Sequence, residues 1–424
     1  MAAEMLLEIE NLGLINRADL EIGKINVVVG KNSTGKSTSS KFLFSLLTAA
    51  SSEGIQLANN NIRFRMLNFV EYWKVKGSKE MDVKFGQVKN SLMNNGMSCE
   101  SFREIYYEIS DIVDKNDFKD KQLCIDDLKS LLHIIELNDN EHARYITVFN
   151  ALMESEYGSS LNKFKDAHIK FYGNHNGMEF KQDIKIGDEK SKTGISEDFL
   201  NYFNFQNVIY MDSPSILDGN THNSQYHLQV LERKLKKLKN PDDVYCDEFF
   251  NDLNGFKEDI DELIEGRFEY VPSEDIFLFI KDDVSFSMQN TASGLKQLGI
   301  IQLLLENKEL TKNSFLILDE PEINLHPEFQ INLAQILVLA AKDLNVTVYI
   351  NTHSPFLAEA IEVYSKYYGM YDLTNFYLTV ESENEGKFDY RLMNDMDMME
   401  VYNNLGNPFD RLNEIRFKTE LRND

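Results

Sequence analysis

An α/β fold is predicted for this chain of 424 residues, with a mixed β-sheet, an antiparallel β subdomain and a helical insertion. Ile25–Val29 has the β-branched, apolar character of a buried strand, and it turns through a glycine-rich loop into an amphipathic helix. Residues 62–163 show apolar positions at helical spacing only. From residue 295 onward helices alternate with apolar strands, which is typical of a parallel sheet covered on both faces.

The chain begins with the first part of the predicted α/β domain, residues 1–55. Within it, short apolar or alternating pieces at residues 6–10 and 18–22 predict a small antiparallel group at the edge of the domain. Residues 56–165 are predicted to be the helical insertion, because Asn, Gly and Asp residues separate successive amphipathic helices there.

Residues 166–215 are predicted to return to the same domain. Strand patterns at residues 167–172 and 178–186 flank a loop rich in Gly and Asn, which indicates a hairpin. A further apolar strand is predicted at residues 207–211. Residues 216–266 then predict a short antiparallel helical hairpin, because apolar residues step by three and four on both sides of a Pro-Asp-Asp break.

Residues 267–370 are predicted to complete the domain with further strands and helices. The predicted strands are at residues 267–271, 276–280, 284–288, 314–319 and 346–350, and the predicted helices at residues 295–310, 327–343 and 355–364. Residues 371–424 are predicted to form a closing hairpin, from residues 376–380 and 387–392, and a short helix that includes residues 411–416.

The chain is strongly acidic, with a formal net charge of −25 at pH 7 and a pI near 4.8. This balance repels polyanions on average and disfavours broad nucleic-acid binding, although it leaves a local basic face open. The densest basic run is interpreted as a solvated helix face. That run consists of Arg233, Lys234, Lys236, Lys237 and Lys239.

Three cysteines, Cys99, Cys124 and Cys246, stand far apart in the sequence. They predict neither a disulfide framework nor a zinc site, and we interpret them as small buried or half-buried residues. No apolar stretch approaches the roughly 20 residues that cross a bilayer, and residues 1–20 carry acidic residues where a signal peptide needs basic ones. These features predict a cytoplasmic protein without membrane contact.

Residues 30–38 have the composition and spacing of a phosphate-binding loop. Gly30 and Gly35 allow the backbone to wrap a polyphosphate so that N–H groups point at its oxygens, and the next helix adds its positive dipole end. Lys36 would reach the β- and γ-phosphates, and the Ser37 hydroxyl would bind Mg²⁺. The candidate ATP ligands in this loop are Gly30, Lys31, Asn32, Ser33, Thr34, Gly35, Lys36, Ser37 and Thr38.

The apolar strand at residues 314–319 delivers two carboxylates at its C-terminal end, where ligands bind in open α/β sheets. Asp319 would hold Mg²⁺, directly or through water, and Glu320 would polarise the attacking water. The alternative is a strand that simply ends in a charged turn. His353 follows the next strand at the same sheet edge and could contact a γ-phosphate oxygen or the attacking water, although a lone histidine there is more often structural.

Ser293 and Gly294 lie in a small-residue turn that opens a predicted helix. The free N–H groups of such a helix start can hold a phosphate, and an ordinary helix cap is the alternative.

The order of these four motifs resembles the ABC-type ATPases, in the soluble branch that includes the SMC and RecF proteins. Residues 319–327 and 351–357 look like the OLD-like AAA ATPases, which include the ATPase subunits of anti-phage systems such as Septu and PARIS. The resemblance implies a head-to-head dimer with two ATP molecules between the subunits, in which Ser293 and Gly294 act in trans. Residues 322–326 would then take the place of a loop that crosses the dimer interface, or form a simple turn.

The chain departs from these families at several points. Leu295 stands where the usual signature has a second glycine, and Gln206 is a weak candidate for the Q-loop glutamine. The helical hairpin is far shorter than SMC coiled-coil arms and has no cysteine pair for a zinc hook. OLD nucleases continue into a Toprim domain of on the order of 100 residues, whereas few residues follow His353 here; Asp395 and Asp397 are interpreted as an acidic turn.

The sequence therefore predicts a dimeric molecular switch that binds and hydrolyses ATP with Mg²⁺. By family analogy, the switch would serve an anti-phage system and act with a separate effector protein, such as a nuclease or a toxin. Two alternatives stay open: a genome-maintenance ATPase of RecF or SMC type that binds DNA when ATP is bound, and a nucleotide-binding scaffold with little turnover.

Overall fold

The computed structural model describes residues 4–93, 97–164, 166–175, 178–186, 205, 207–212, 214–218, 225–237, 260–393 and 398–405. The chain divides into two compact units. The helical unit is Thr48–Leu152, and the head unit combines Met1–Leu47 with Met153–Asp424. Each unit has its own hydrophobic core.

Thirteen strands lie within the described residues of the head unit. They are β1 Glu4–Glu10, β2 Ile15–Ile22, β3 Ile25–Val29, β4 Ala167–His175, β5 Met178–Ile186, β6 Asn207–Met211, β7 Arg267–Val271, β8 Ile276–Lys281, β9 Val284–Ser287, β10 Ser314–Asp319, β11 Thr347–Thr352, β12 Thr374–Glu381 and β13 Phe388–Met393. Ten of them form one mixed sheet in the order β5-β4-β1-β2-β13-β12-β3-β11-β10-β6, and β7-β8-β9 form a separate antiparallel sheet. The predicted mixed sheet and antiparallel β subdomain are both confirmed.

The described residues contain eleven α-helices. They are α1 Lys36–Ala50, α2 Ser52–Lys76, α3 Lys79–Leu92, α4 Cys99–Lys115, α5 Lys121–Asp139, α6 Glu141–Tyr157, α7 Tyr226–Leu235, α8 Ser293–Glu306, α9 Pro327–Asp343, α10 Pro355–Tyr367 and α11 Met398–Leu405. Local chemistry explains the sharp starts of α9 and α10. Each has proline in its first turn, where no N–H partner is needed, and α10 is also capped by Ser354, which accepts from the N–H of Leu357.

Strands β12, β3, β11, β10 and β6 run parallel to one another. Every residue of β3, β10 and β11 is buried, as their almost continuous apolar runs predict. Alternate residues face opposite sides because side chains alternate along a strand. Val348 and Ile350 therefore join the core with α8, α9 and α10, whereas Tyr349 and Asn351 face α1.

The position of β1 and β2 differs from the sequence-based expectation. These strands were expected at the edge of the domain, but the sheet edges are β5 and β6. Strand β1 lies between β2 and β4, and β2 pairs in parallel with β13. The closing hairpin β12–β13 therefore lies in the middle of the sheet. The sequence did not predict this position, because a local pattern does not show which distant segments pair.

The small sheet packs an aromatic face against α8. Phe268, Phe277 and Phe279 are buried, and the ring of Phe268 lies against Gly299 of α8. A Cβ atom added at Gly299 would lie 2.5 Å from that ring, so only glycine fits at this crossing.

The helical unit is built from amphipathic helices with polar anchors. Helices α3 and α4 start at Ser78 and Ser98, whose hydroxyls accept from backbone N–H groups in the first turn. The indole of Trp73 is buried and donates to Asp127 over 3.1 Å. Cys124 is buried in this core, and burial, followed by the charge of Asp127, raises the pKa of its thiol to about 12.

Several expectations fall outside the described residues. They concern Cys246, Gln206, Asp395, Asp397, residues 411–416 and the middle of the helical hairpin, of which α7 and one turn at residues 260–264 are described. Helix α11 was not predicted. No helix in the described part of the chain combines the length and apolar character needed to span a membrane.

The interpretation of the basic run as a solvated face was wrong at Lys234. Its side chain is only 4% exposed, and its ammonium lies 2.7 Å from the carboxylate of Glu309. Lys237 pairs with the other oxygen of Glu309, and Lys236 pairs with Glu232 and Asp275. Arg233, in the same run, is exposed, and Lys239 lies outside the described residues.

Substitution of Gly299 by Ala is expected to destabilise the head unit. The added methyl group would overlap the ring of Phe268, and overpacking of this kind costs about 1–3 kcal/mol. Urea denaturation should show this loss. Gly86→Ala is the control, and we expect it to increase the stability. A Cβ atom at this position of α3 would have open space, and alanine should stabilise the helix by roughly 0.5–1 kcal/mol. An unchanged midpoint for Gly299→Ala would contradict the packing argument.

Candidate functional site

The phosphate loop, residues 30–38, connects β3 to α1. The N–H of Gly30 donates to the carbonyl oxygen of Thr352 over 3.1 Å, which joins the loop to the end of β11. A Cβ atom at Gly30 would lie 1.9 Å from the hydroxyl oxygen of Thr379. Gly35 has a φ of +93°, and a Cβ atom there would lie 2.7 Å from Ile15. Both glycines are therefore required by side chains of neighbouring strands, and Gly35 is also required by its backbone conformation.

Lys36 points back across the loop. Its ammonium donates to the carbonyl oxygens of Gly30, over 2.8 Å, and Lys31, over 2.7 Å. The side chain is 3% exposed, and burial lowers the pKa of Lys36 against the raising effect of nearby carboxylates, first of all Glu320. The lysine is thus held inside the loop, where phosphate oxygens could replace the two carbonyl partners.

Part of the loop is exposed to solvent. Lys31, Asn32, Ser33 and Ser37 are exposed, whereas Thr34 and Gly35 are buried. A cavity of about 570 Å³ adjoins the loop within the head unit, a size that suits a small ligand. It is lined by Gly13, Leu14, Ser37, Thr38, Lys41, Glu156, Tyr157, Ser160 and Phe164.

Asp319 is fixed at the end of β10 by two hydrogen bonds. Its Oδ1 accepts from the amide of Asn351 and its Oδ2 accepts from the hydroxyl of Tyr210, each over 2.9 Å. The Asn351 amide also donates to Ser40 on α1 over 2.9 Å. The carboxylate is therefore held close to the N-terminal turns of α1, the helix that begins at the phosphate loop.

Glu320 follows Asp319 in a left-handed backbone conformation, with a φ of +50°. This conformation is uncommon for residues other than glycine, and here the N–H of Glu320 donates to the carbonyl oxygen of Asn351 over 2.9 Å. The carboxylate lies 4.0 Å from the ammonium of Lys36 and 3.8 Å from Nδ1 of His353. The structure thus brings the three predicted catalytic residues together.

Glu322 holds the segment that carries His353. Its Oε1 accepts from the hydroxyl of Thr352 and from the N–H groups of His353 and Ser354, over 2.7, 2.6 and 3.1 Å. Nδ1 of His353 lies 3.0 Å from the same oxygen, without the geometry of a hydrogen bond. Residues 322–326 are predicted to be an interface loop or a simple turn, and nothing in the local pattern indicates that Glu322 is buried.

Charge and burial have opposite effects on the pKa values of Glu322 and His353. The Glu322 carboxylate raises the pKa of His353 above its ordinary value, and burial lowers it by less. For Glu322, burial raises the pKa, but the nearby ring of His353 and the hydrogen bond from the Thr352 hydroxyl outweigh it and the pKa is lowered. The pair therefore favours a carboxylate beside an imidazolium.

A family model described as AAA ATPase domain matches residues 5–358 of this chain. The chain belongs to the AAA ATPase domain family. The fold is accordingly that of an α/β P-loop ATPase, and the resemblance to ATP-binding P-loop proteins is confirmed at this level. No curated protein matches the sequence significantly.

The AAA ATPase domain is also similar to solved SMC head structures. The SMC head bound to the C-terminal winged-helix domain of ScpA has 11% identity and a TM-score of 0.45, and the match covers 93% of this chain and 98% of that one. The SMC head domain from Thermotoga maritima has 10% identity and a TM-score of 0.41, covering 93% and 100%.

A third structure of this kind is the Pyrococcus furiosus Smc head domain with an extended coiled coil, bound to the C-terminal domain of ScpA. Its identity is 10% and its TM-score 0.40, with 98% of this chain and 100% of that one covered. These likenesses concern the fold, and the family assignment is based on the family model.

Ser293 and Gly294 lie at the N-terminus of α8, as the sequence predicts. A Cβ atom at Gly294 would lie 3.2 Å from the ring of Phe329 and 3.4 Å from Leu325, so a small residue is needed for packing. A phosphate-binding role in trans for this turn of the ATPase domain stays a prediction.

The sequence did not point to Tyr210, and it placed Asn351 and Glu322 only within the segments 351–357 and 322–326, without the contacts described above. Tyr210 and Asn351 sit at the carboxyl ends of the strands on either side of β10. Their strand-end positions are a usable signal, because neighbouring parallel strands bring such residues to one edge. The burial of Glu322 has no comparable signal.

Substitution of Glu322 by Gln should lower the pKa of His353. The Glu322 carboxylate is the largest cause of the raised value, whereas the effect of burial, which lowers it, would remain. An NMR titration of the His353 ring should show the shift, with His168 as the internal reference. In the wild type, the contribution to stability is fully present below the ordinary histidine pKa of about 6.5 and is lost as pH rises through the folded value. Identical His353 titrations in both proteins would refute this account.

Proposed function

We propose that this protein is a Mg²⁺-dependent ATPase whose ATP-bound form is a dimer. The observation that carries the proposal is the position of Glu320, whose carboxylate lies 4.0 Å from Lys36 of the phosphate loop and 3.8 Å from His353. A lysine for the β- and γ-phosphates, a carboxylate for the attacking water and a histidine that can contact either are thus within one small region.

Lys36 would exchange its two carbonyl partners for phosphate oxygens when ATP binds. Its present hydrogen bonds, to Gly30 and Lys31, already place the ammonium within the loop. Backbone N–H groups at the start of α1 would supply further donors to the phosphates, because the first N–H groups of a helix lack partners within it. The adjoining cavity beside Ser37 and Thr38 offers room for the nucleoside.

Ser37 and Asp319 fit a magnesium ion. Both offer oxygen atoms, which Mg²⁺ prefers, and Ser37 is exposed at the start of the helix next to the phosphate loop. Asp319 is held still by Asn351 and Tyr210, so that its orientation is set before any ion arrives. When bound, Mg²⁺ neutralises charge on the transferring phosphate.

Glu320 would accept a proton from, or orient, the water that attacks the γ-phosphate. Its carboxylate is partly exposed, at 24%, so water can reach it. His353 would donate a hydrogen bond at the γ-phosphate, because the carboxylate of Glu322 favours its protonated form. Loss of that phosphate would remove the partner of His353, which makes this segment a sensor of hydrolysis.

Closure of two heads would bring Ser293 and Gly294 of one copy to the ATP held by the other. The motif order that the chain shares with ABC-type ATPases supports this arrangement. The likeness of residues 319–327 and 351–357 to OLD-like ATPases supports a role in anti-phage defence. In that setting, a separate effector, such as a nuclease or a toxin, would respond to the closed dimer.

Glu320→Gln should trap the ATP-bound dimer. The variant keeps Lys36 and should bind ATP, but its turnover should fall by at least about 10²-fold because a general base contributes this much or more. Light scattering after size-exclusion chromatography, with ATP and Mg²⁺, should show twice the monomer mass.

Two variants serve as controls for this experiment. Lys36→Ala should bind no ATP and remain monomeric, and Glu383→Gln, an exposed carboxylate in the β12–β13 turn, should behave as the wild type. A Glu320→Gln protein that binds ATP and stays monomeric would refute the trans arrangement. Wild-type protein without turnover would refute hydrolysis.

A further inference from the structure

A buried histidine outside the predicted site contacts one carboxylate through each of its ring nitrogens. His227, on α7, has a fully buried side chain; its Nδ1 lies 2.5 Å from Oε2 of Glu156 and its Nε2 lies 3.0 Å from Oδ2 of Asp212. The backbone N–H of His227 also donates to Glu156, over 3.1 Å. One ring thus joins α7 to the C-terminal turn of α6 and to the residue after β6.

Both ring nitrogens lie within hydrogen-bond distance of a carboxylate oxygen. Burial lowers the pKa of His227, but the hydrogen bonds to Asp212 and Glu156 outweigh it and the pKa is raised. The ammonium of Lys41, on α1, lies 3.9 Å from Glu156. These four residues, here called the His227 cluster, place a histidine and a lysine beside two carboxylates.

The His227 cluster reaches the sheet edge that carries the candidate active site. Strands β6 and β10 pair Met211 with Leu318, so that Asp212 and Asp319 are the next residues on neighbouring parallel strands. Tyr210 links them: its ring centroid lies 4.7 Å from that of His227, and its hydroxyl donates to Asp319. Asp212 therefore belongs to the same row of strand ends as Asp319.

One oxygen of Asp212 still lacks a donor. Oδ2 accepts from His227, whereas Oδ1 is buried and has no hydrogen-bond partner within the described ranges. A buried acceptor left in this state destabilises the fold, because it has lost its water without gaining a donor. A ligand that brings a donor to this point of the sheet edge would remove that penalty.

We propose that His227 is a positioning residue for ATP hydrolysis, which fixes Asp212 beside Asp319, where the unpaired oxygen of Asp212 would accept a hydrogen bond from water bound to Mg²⁺·ATP. The inference depends on the proposed function, because it assigns Asp212 to the same ATP site. Asp212 supplies the acceptor, and His227 acts through it without touching the nucleotide.

The ring of His227 also positions a residue that lines the cavity beside the phosphate loop. Glu156 and Lys41 line the cavity next to Ser37 and Thr38, and Glu156 is held by His227. The two ring nitrogens therefore serve different places: Nε2 holds Asp212 near the Asp319 side, and Nδ1 holds Glu156 at the cavity. Variants that keep one contact and lose the other can separate these roles.

Two substitutions of His227 make that separation. In His227→Asn the amide nitrogen replaces Nδ1 and keeps the bond to Glu156, and in His227→Gln it replaces Nε2 and keeps the bond to Asp212. Steady-state kcat and KM, the Mg²⁺ concentration for half-maximal rate, and the affinity for a fluorescent ATP analogue with and without Mg²⁺ are measured. Thermal denaturation checks the fold of each variant.

We expect His227→Asn to lose kcat and Mg²⁺ affinity by about 10- to 100-fold, as changes around metal ligands do. KM for ATP should change little, and Asp212→Asn should match this pattern. His227→Gln should retain Mg²⁺ dependence. His168→Asn is the control, because His168 makes a similar 2.6 Å pair with Asp183 on β4 and β5, away from this sheet edge.

Equal losses in His227→Asn and His227→Gln, or wild-type Mg²⁺ dependence in Asp212→Asn, would overturn the inference. Asp212 is partly exposed, at 26%, so its variant tests the idea even where substitution of buried His227 prevents folding. If the wild-type protein binds ATP but does not hydrolyse it, the proposed ATPase function is rejected. The role of Asp212 is still tested, because the binding of the ATP analogue with and without Mg²⁺ can be compared between the wild type and Asp212→Asn.

Discussion

The side-chain amide of Asn351 holds the candidate site together. It is fully buried and donates both to Ser40 on α1 and to Asp319 at the end of β10. Its backbone carbonyl accepts from Glu320, which sets the direction of the next carboxylate. The phosphate-loop helix, the strand that ends at Asp319 and the segment that carries His353 therefore share one polar residue inside an apolar sheet.

Electrostatics at this sheet edge are unusual for a site that binds a polyanion. Lys36 lies near three carboxylates, Asp319, Glu320 and Glu322, in a chain whose net charge is −25. The loop N–H groups and the α1 dipole favour the phosphates of ATP against this negative charge. The Glu322 carboxylate, which raises the pKa of His353, lies on the same side.

The sequence predicted those features of the site that consist of contiguous residues. The strand at Ile25–Val29, the glycine loop and the carboxylates after β10 are contiguous motifs, and the structure places them as expected. The role of Glu322 and the burial of Lys234 depend on contacts with distant segments, at residues 352–354 and 309. Such contacts arise from tertiary packing, which local periodicity does not encode.

The position of β12 between β3 and β13 affects how the chain acquires its nucleotide loop during synthesis. Thr379 of β12 fills the space beside Gly30, and β12 covers one side of β3. The two strands are separated by more than 300 residues, so the ribosome must release nearly the whole head before β3 is paired on both sides. Until then β3 is an open strand edge, a form prone to wrong pairing.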